Sequence, residues 1–133
     1  MVTWDSFGDL GDELVMVIPP YSRYLRSVRL VAADAAARAG LDCEETEDFR
    51  LAVDELCHTM MVATDHALHL SFTRTDAGVV ARGATKARTG TWPAMTELSA
   101  TIVTALADAY ELDLCGDELH FFVHRSHTGA MTR

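Results

Sequence analysis

The sequence predicts an α+β fold, a two-layer α/β sandwich in which three helices cover one face of a mixed or antiparallel sheet. Apolar residues recur at helical spacing through residues 22–39 and 49–61, alternate with polar ones through residues 66–74 and 119–125, and give way to Pro or Gly at the joints. Each strand offers one strongly apolar side, so the economical packing lays the helices against that side. The 133 residues, 49% of them hydrophobic, suffice for one domain with a real core and not for two ordinary ones.

The first strand spans residues 14–18, and Pro19 and Pro20 end it because neither supplies an amide hydrogen to a sheet. A helix over residues 22–39 follows, with Leu25, Val28, Val31, Ala32, Ala35, Ala36 and Ala39 inward and Gly40 as its stop. Asp42 opens the second helix. Glu45 completes a capping box there, and Glu44, Glu45 and Glu47 suit the positive N-terminal end. Leu68, Leu70 and Phe72 alternate with His69, Ser71 and Thr73, which marks a strand with one buried face. Asp76-Ala77-Gly78 is a turn, and residues 79–84 return as the partner strand of a hairpin. The polar stretch 85–91 holds no apolar residue larger than alanine and is expected to be a mobile loop. A third helix is expected over residues 96–110, with Leu98, Ile102, Leu106 and Ala109 inward. A last strand over residues 119–125 puts Leu119, Phe121 and Val123 on one face. Residues 1–12 and 126–133 are expected to be flexible tails of a single domain.

Composition narrows the function. With a net charge of −9 and only 11 Lys and Arg spread along the chain, direct binding to a nucleic acid backbone is not expected, and a protein partner with a basic patch is easier to accommodate. No apolar run approaches the ~20 residues of a membrane span, and the acidic, Trp-containing start is no signal peptide. Cys43, Cys57 and Cys115 form an odd set without CxxC spacing, which fits free thiols in a reducing cytoplasm. Nucleophilic catalysis has no support, because there is no GxSxG elbow and the cysteines fall at a helix start, in a core stripe and in a turn. His66-x-x-His69 and His120, His124 and His127 invite a metal. On a strand, however, His120 and His124 lie ~13 Å apart, too far to share one zinc, and no metal site is expected. Trp92-Pro93 reads as a packing plug before the third helix.

The informative segment is Phe49-Arg-Leu-Ala-Val-Asp-Glu-Leu-Cys57 and its continuation to Met61. Phe49, Ala52, Val53, Leu56, Cys57 and Met60 form a core stripe. Asp48, Ala52, Glu55 and Thr59 climb one flank, so a carboxylate and a hydroxyl one turn apart would look out together. Asp54 and His58, with Arg50 below, are expected to form surface ion pairs worth ~0.3–0.5 kcal/mol each.

That phrase, the order of elements and the later Thr104-Ala-Leu-Ala-Asp-Ala-Tyr-Glu111 resemble the RsbW-like anti-sigma factors and serine kinases, whose domain is the histidine-kinase-type (GHKL, Bergerat) ATPase fold. The likeness is nearest to the shortened actinobacterial anti-sigma-F-type members and covers roughly residues 14–125. In such enzymes a Glu-x-x-x-Asn motif orients the attacking hydroxyl and holds magnesium against the triphosphate. Glu55 matches the Glu, whereas Thr59 stands where the Asn should be, a shorter ligand for magnesium. The family's Asp-x-Gly-x-Gly adenine turn corresponds here to Gly83-Ala84-Thr85-Lys86-Ala87-Arg88, without an acidic residue. Its second Gly-rich stretch corresponds to Thr89-Gly90-Thr91-Trp92-Pro93-Ala94, with one glycine for a phosphate cradle.

The resemblance therefore implies a degenerate domain with weak or absent ATP binding, for which no cofactor is expected. The function it implies is that of an anti-sigma-type regulator, a homodimer in the cytoplasm, expected to bind a sigma factor and to be relieved by an anti-anti-sigma partner. The alternative is an active Mg-ATP-dependent serine kinase that phosphorylates that partner through Glu55 and Thr59; a relative with some unrelated partner is a third. The family's partner-binding arginine on the first helix maps to Arg29, with Arg26 one turn away on the same face. The bland alternative, a solvated face made of Arg23, Arg26, Arg29 and Arg38, stands level with it.

Overall fold

A computed structural model gives the arrangement of residues 13–91 and 95–128. The expectations for residues 1–12, Trp92-Pro93 and the stretch beyond Thr128 fall outside these described residues.

β1 (Glu13–Ile18) ends at the two prolines, and a 3₁₀ turn (Ser22–Tyr24) leads into α1 (Leu25–Arg38). The Arg23 guanidinium lies over the rings of Tyr21 and Tyr24, 4.8 and 5.1 Å from their centroids. Gly40, at φ 91°, lets the chain reverse after α1 while the Leu41 amide donates back to the Ala36 carbonyl. α2 (Cys43–Ala63) starts with the expected capping box: Asp42 accepts from the Glu45 amide, and Glu45 accepts from the Asp42 amide. The other Glu45 oxygen accepts from the Thr128 amide at 2.7 Å. Thr128 is thus tied to the second helix, and Ser126 belongs to a strand, so at least this part of the expected 126–133 tail is held.

β2 (Leu68–Arg74) and β3 (Gly78–Lys86) form the hairpin, followed by α3 (Glu97–Leu106), β4 (Ala109–Cys115) and β5 (Glu118–Ser126). The sheet runs β1-β2-β3-β5-β4 and every neighbouring pair is antiparallel, so the mixed alternative is not realised. All three helices pack on one face. Leu68, Leu70, Phe72, Val79, Ala81, Leu119, Phe121 and Val123 point into that layer, and Phe49, Ala52, Val53, Leu56, Cys57 and Met60 meet them from α2 with no exposed surface at all. Phe49 and Phe72 make an edge-to-face pair at 6.4 Å between centroids. This is the α+β two-layer sandwich that the sequence predicts. Among the described residues no helix is long and apolar enough to cross a membrane.

Three expectations need correction. The third helix stops at Leu106, a turn early; Leu98 is 70% exposed and Val103, not expected inward, is its buried residue. The chain then enters β4, in which Tyr110, Leu112 and Leu114 alternate with Glu111 and Asp113. Gly116, at φ 66°, and Asp117 make the two-residue turn into β5, and Cys115 sits at the strand end rather than in a turn. The predicted mobile loop also does not begin at Thr85. Gly83, Thr85 and Ala87 continue the inward period of β3 with small side chains, and polar groups nearby are used locally. The Thr85 hydroxyl donates to the Ala67 carbonyl at 2.9 Å and lies 3.1 Å from the Thr64 hydroxyl. The Arg88 amide reaches the Ala63 carbonyl and its guanidinium reaches Asp65 and the Val62 carbonyl, satisfying the C-terminal end of α2.

Candidate functional site

The flank of α2 expected to face solvent instead faces α3 and β5. Ala52 is fully buried, and Asp48 meets the Arg125 guanidinium at 3.3 Å. Glu55 is half-buried, and its Oε2 accepts a hydrogen bond from the Ser99 hydroxyl at 2.8 Å. Ser99 lies in the first turn of α3, where the Thr96 hydroxyl caps the helix by accepting from the Ser99 amide and donates to Ser99 Oγ, both at 3.0 Å. The start of α3 is therefore strung onto Glu55 through two hydroxyls. Thr59 turns its hydroxyl onto its own helix, donating to the Glu55 carbonyl at 3.0 Å. As arranged, the carboxylate and hydroxyl of the proposed nucleotide motif are both engaged by protein groups. Of the stretch matched to the adenine turn, residues 83–88, Gly83 to Lys86 are strand. Gly83 serves packing there, since a Cβ at that position would lie 2.2 Å from the Phe121 ring.

The proposed partner-binding residues lie on the other side of α2. Arg26 is exposed and, among the described residues, in no ion pair. Arg29 leans across to α2, its Nε 3.6 Å from Asp54 Oδ1, with the two side chains 39% and 21% exposed. Burial pushes the Asp54 carboxyl above the usual carboxylate range; the charges of Arg29, His58 and Arg50 act against that, and Glu55 adds to it. Asp54 Oδ1 is buried and without a hydrogen bond. The expected Asp54–Arg50 pairing is absent, because Arg50 turns the other way and binds Glu47.

A second charged cluster surrounds Arg125, which reaches Asp48 on α2 and Asp108 before β4. Burial works upward on Asp108, but hydrogen bonds from the Ser126 hydroxyl and amide and the Arg125 charge outweigh it and hold this carboxyl below the usual range. Among the described residues no three His, Cys, Asp or Glu side chains stand close enough together to hold a metal ion. A trough of about 1020 Å³ lies on the helix-free face of the sheet, lined by Val15, Val17, His69, Arg82 and Phe122 among others, away from both Glu55 and Arg29.

The Ser99–Glu55 bond, the Thr96 cap and the Arg29–Asp54 contact were missed from sequence. A Thr-x-x-Ser spacing at a helix start was a legible cap signal; its link to Glu55 was not, because it spans two helices.

No family model and no curated protein matches this chain. Its structure is similar to the crystal structure of the RsbU and RsbW domains of Rv1364c from Mycobacterium tuberculosis, with a TM-score of 0.65 and 16% identity over 86% of the present chain. The alignment spans 32% of that longer chain. At this identity the likeness concerns the fold, and the fold is of the kind that the RsbW-like resemblance implied.

Proposed function

We propose that the chain is a partner-switching regulator of the anti-sigma type, which binds a sigma factor, is relieved by an anti-anti-sigma protein, and binds ATP weakly or not at all. The observation that carries the reading is the cationic front of α1: in a chain of net charge −9, Arg26 is exposed and Arg29 is partly exposed one turn on, in a fold similar to about a third of a chain that carries RsbU and RsbW domains. Such a pair offers planar donors to a partner carboxylate. The engagement of Glu55 by Ser99 supports the loss of nucleotide chemistry, because the Ser99 hydroxyl occupies one oxygen of the carboxylate that would orient the attacking group.

The same contact favours a second reading. Glu55 does accept from a hydroxyl, which is the part it would play in an ATP-dependent serine kinase acting on the anti-anti-sigma partner, if α3 opened to admit nucleotide and substrate. A cytoplasmic homodimer belongs to the proposal as well. β1 is an edge strand with Leu14, Val15 and Val17 between 40% and 55% exposed, more apolar surface than an edge comfortably leaves to water.

The test is capture of purified sigma factors by the tagged chain, with and without Mg-ATP and with a competing anti-anti-sigma protein. Retention that the competitor reverses and ATP does not alter is the expected result. Transfer of radiolabel from ATP to the competitor would establish the kinase instead, and retention of no sigma factor would remove the anti-sigma reading.

A further inference from the structure

The Arg29–Asp54 contact is poorly built for stability alone. It runs through Nε at 3.6 Å, beyond hydrogen-bonding distance, and it leaves a buried carboxylate oxygen unsatisfied. A pair selected for strength would close to a bidentate fork near 2.8 Å. The carboxylate, however, stands on a fixed base: Val53 beside it and Leu56 and Cys57 on the next turn are wholly buried. Arg29 is likewise rooted between Val28 and Ala32, both without exposed surface, while its own side chain is 39% exposed. Among the described residues no other cation comes within 4 Å of Asp54, since Arg50 is taken by Glu47.

We propose that Asp54 is a positioning residue for Arg29: it attracts the Nε edge of the guanidinium and so presents the two terminal nitrogens outward to a carboxylate of the protein partner. Arginine carries its five N–H donors in a rigid plane, so a charge on one edge orients the other. An unrestrained side chain would lose rotamer freedom on binding that a pre-oriented one has already given up. The long contact serves this role, because a tight bidentate pair with Asp54 would compete with the partner for the same donors. The inference rests on the reading of α1 given above and adds to it a residue on α2.

A double-mutant cycle tests it, with the purified sigma factor retained by the unmutated chain as the probe. Asp54→Asn keeps the shape and removes the charge. It should weaken binding roughly tenfold in the parent and less than about twofold when Arg29 is already Ala, because coupled residues are not additive. Equal weakening in both backgrounds would mean that Asp54 acts independently of Arg29, and no weakening in the parent would mean that it does not act at all; either overturns the proposal while leaving the anti-sigma reading in place. If Arg29→Ala itself leaves affinity unchanged, or no sigma factor is retained, the reading and the proposal fall together. A second measurement needs no partner: the Arg29 Nε–H resonance should exchange with water faster in Asp54→Asn than in the parent, and an unchanged rate would also overturn the proposal.

Discussion

The carboxylate of Glu55 accepts a hydrogen bond from the Ser99 hydroxyl, 2.8 Å away and 44 positions further along the chain. One contact thus ties the second helix to the third at the carboxylate of the proposed lost nucleotide site. Millimolar Mg-ATP should accordingly raise the melting temperature little, because ligand stabilisation grows as RT ln(1 + [L]/Kd) and vanishes when Kd far exceeds the concentration. A rise of more than about 5 °C at ~1 mM would favour the kinase.

Leu56 and Leu98 make a contrast for urea melts. Leu56 is fully buried against the sheet, so Leu56→Ala should cost about 2–5 kcal/mol through lost burial and the cavity left behind. Leu98 is 70% exposed, and Leu98→Ala should stay within about 0.5 kcal/mol. A large loss at Leu98 would restore it to the inner face of the third helix.

The difference between these two leucines also marks what the sequence could reveal. The stripe on α2 repeats over three turns behind a strong N-terminal capping box, and its period alone locates the core. α3 is ten residues of which one is buried, so its pattern is diluted. The Ala- and Leu-rich run through Leu106 hid the switch to the period of two in Tyr110, Leu112 and Leu114. At the site, Glu55 and Thr59 were legible as neighbours because they share a helix. Ser99 and the Arg29–Asp54 contact were not, since they depend on how helices pack, and charge spacing along α2 pointed Asp54 to Arg50 instead.

Two glycines in β3 should respond differently to alanine. A Cβ at Gly78 would stand 2.1 Å from the Arg125 carbonyl oxygen, which is backbone and cannot step aside without moving β5. At Gly83 the obstacle is the Phe121 ring, which can turn. Both overpack, at a typical cost of roughly 1–3 kcal/mol, and Gly78→Ala should lie at or above the upper end while Gly83→Ala lies below it. The reverse order in thermal melts would count against the β3–β5 register.

Stability should depend on pH through two carboxylates of opposite sign. Asp54 is raised in the folded protein, so its charged form is penalised above the folded pKa, and the penalty is relieved as pH falls through that value. Asp108 is lowered, so its contribution is present above the ordinary carboxylate pKa and is lost as pH falls through the folded value. Asp54→Asn should therefore be at least as stable as the parent at pH 7, with the difference shrinking in acid. Asp108→Asn should be less stable at pH 7, its difference also shrinking in acid. An Asp54→Asn protein clearly weaker at pH 7 would mean that the Arg29 attraction outweighs burial.

Charge reversal at Arg29 is a poor probe of partner binding, because a Glu there would stand beside Asp54 and mix folding with recognition. Arg26 is the cleaner position. It is exposed, it joins no ion pair among the described residues, and it is the second residue of α1, where a carboxylate meets the positive end of the helix. Arg26→Glu should leave the melting temperature unchanged or slightly higher, within about 0.5 kcal/mol. If α1 meets an acidic surface of the sigma factor and of its competitor, the same change weakens both complexes, chiefly by slowing association, and the loss is steepest at low salt because the charge acts at the rim. Affinity measured at two ionic strengths decides it: equal binding by parent and variant at low salt would remove Arg26 from the interface, whereas a deficit that narrows as salt rises assigns the α1 front to both partners.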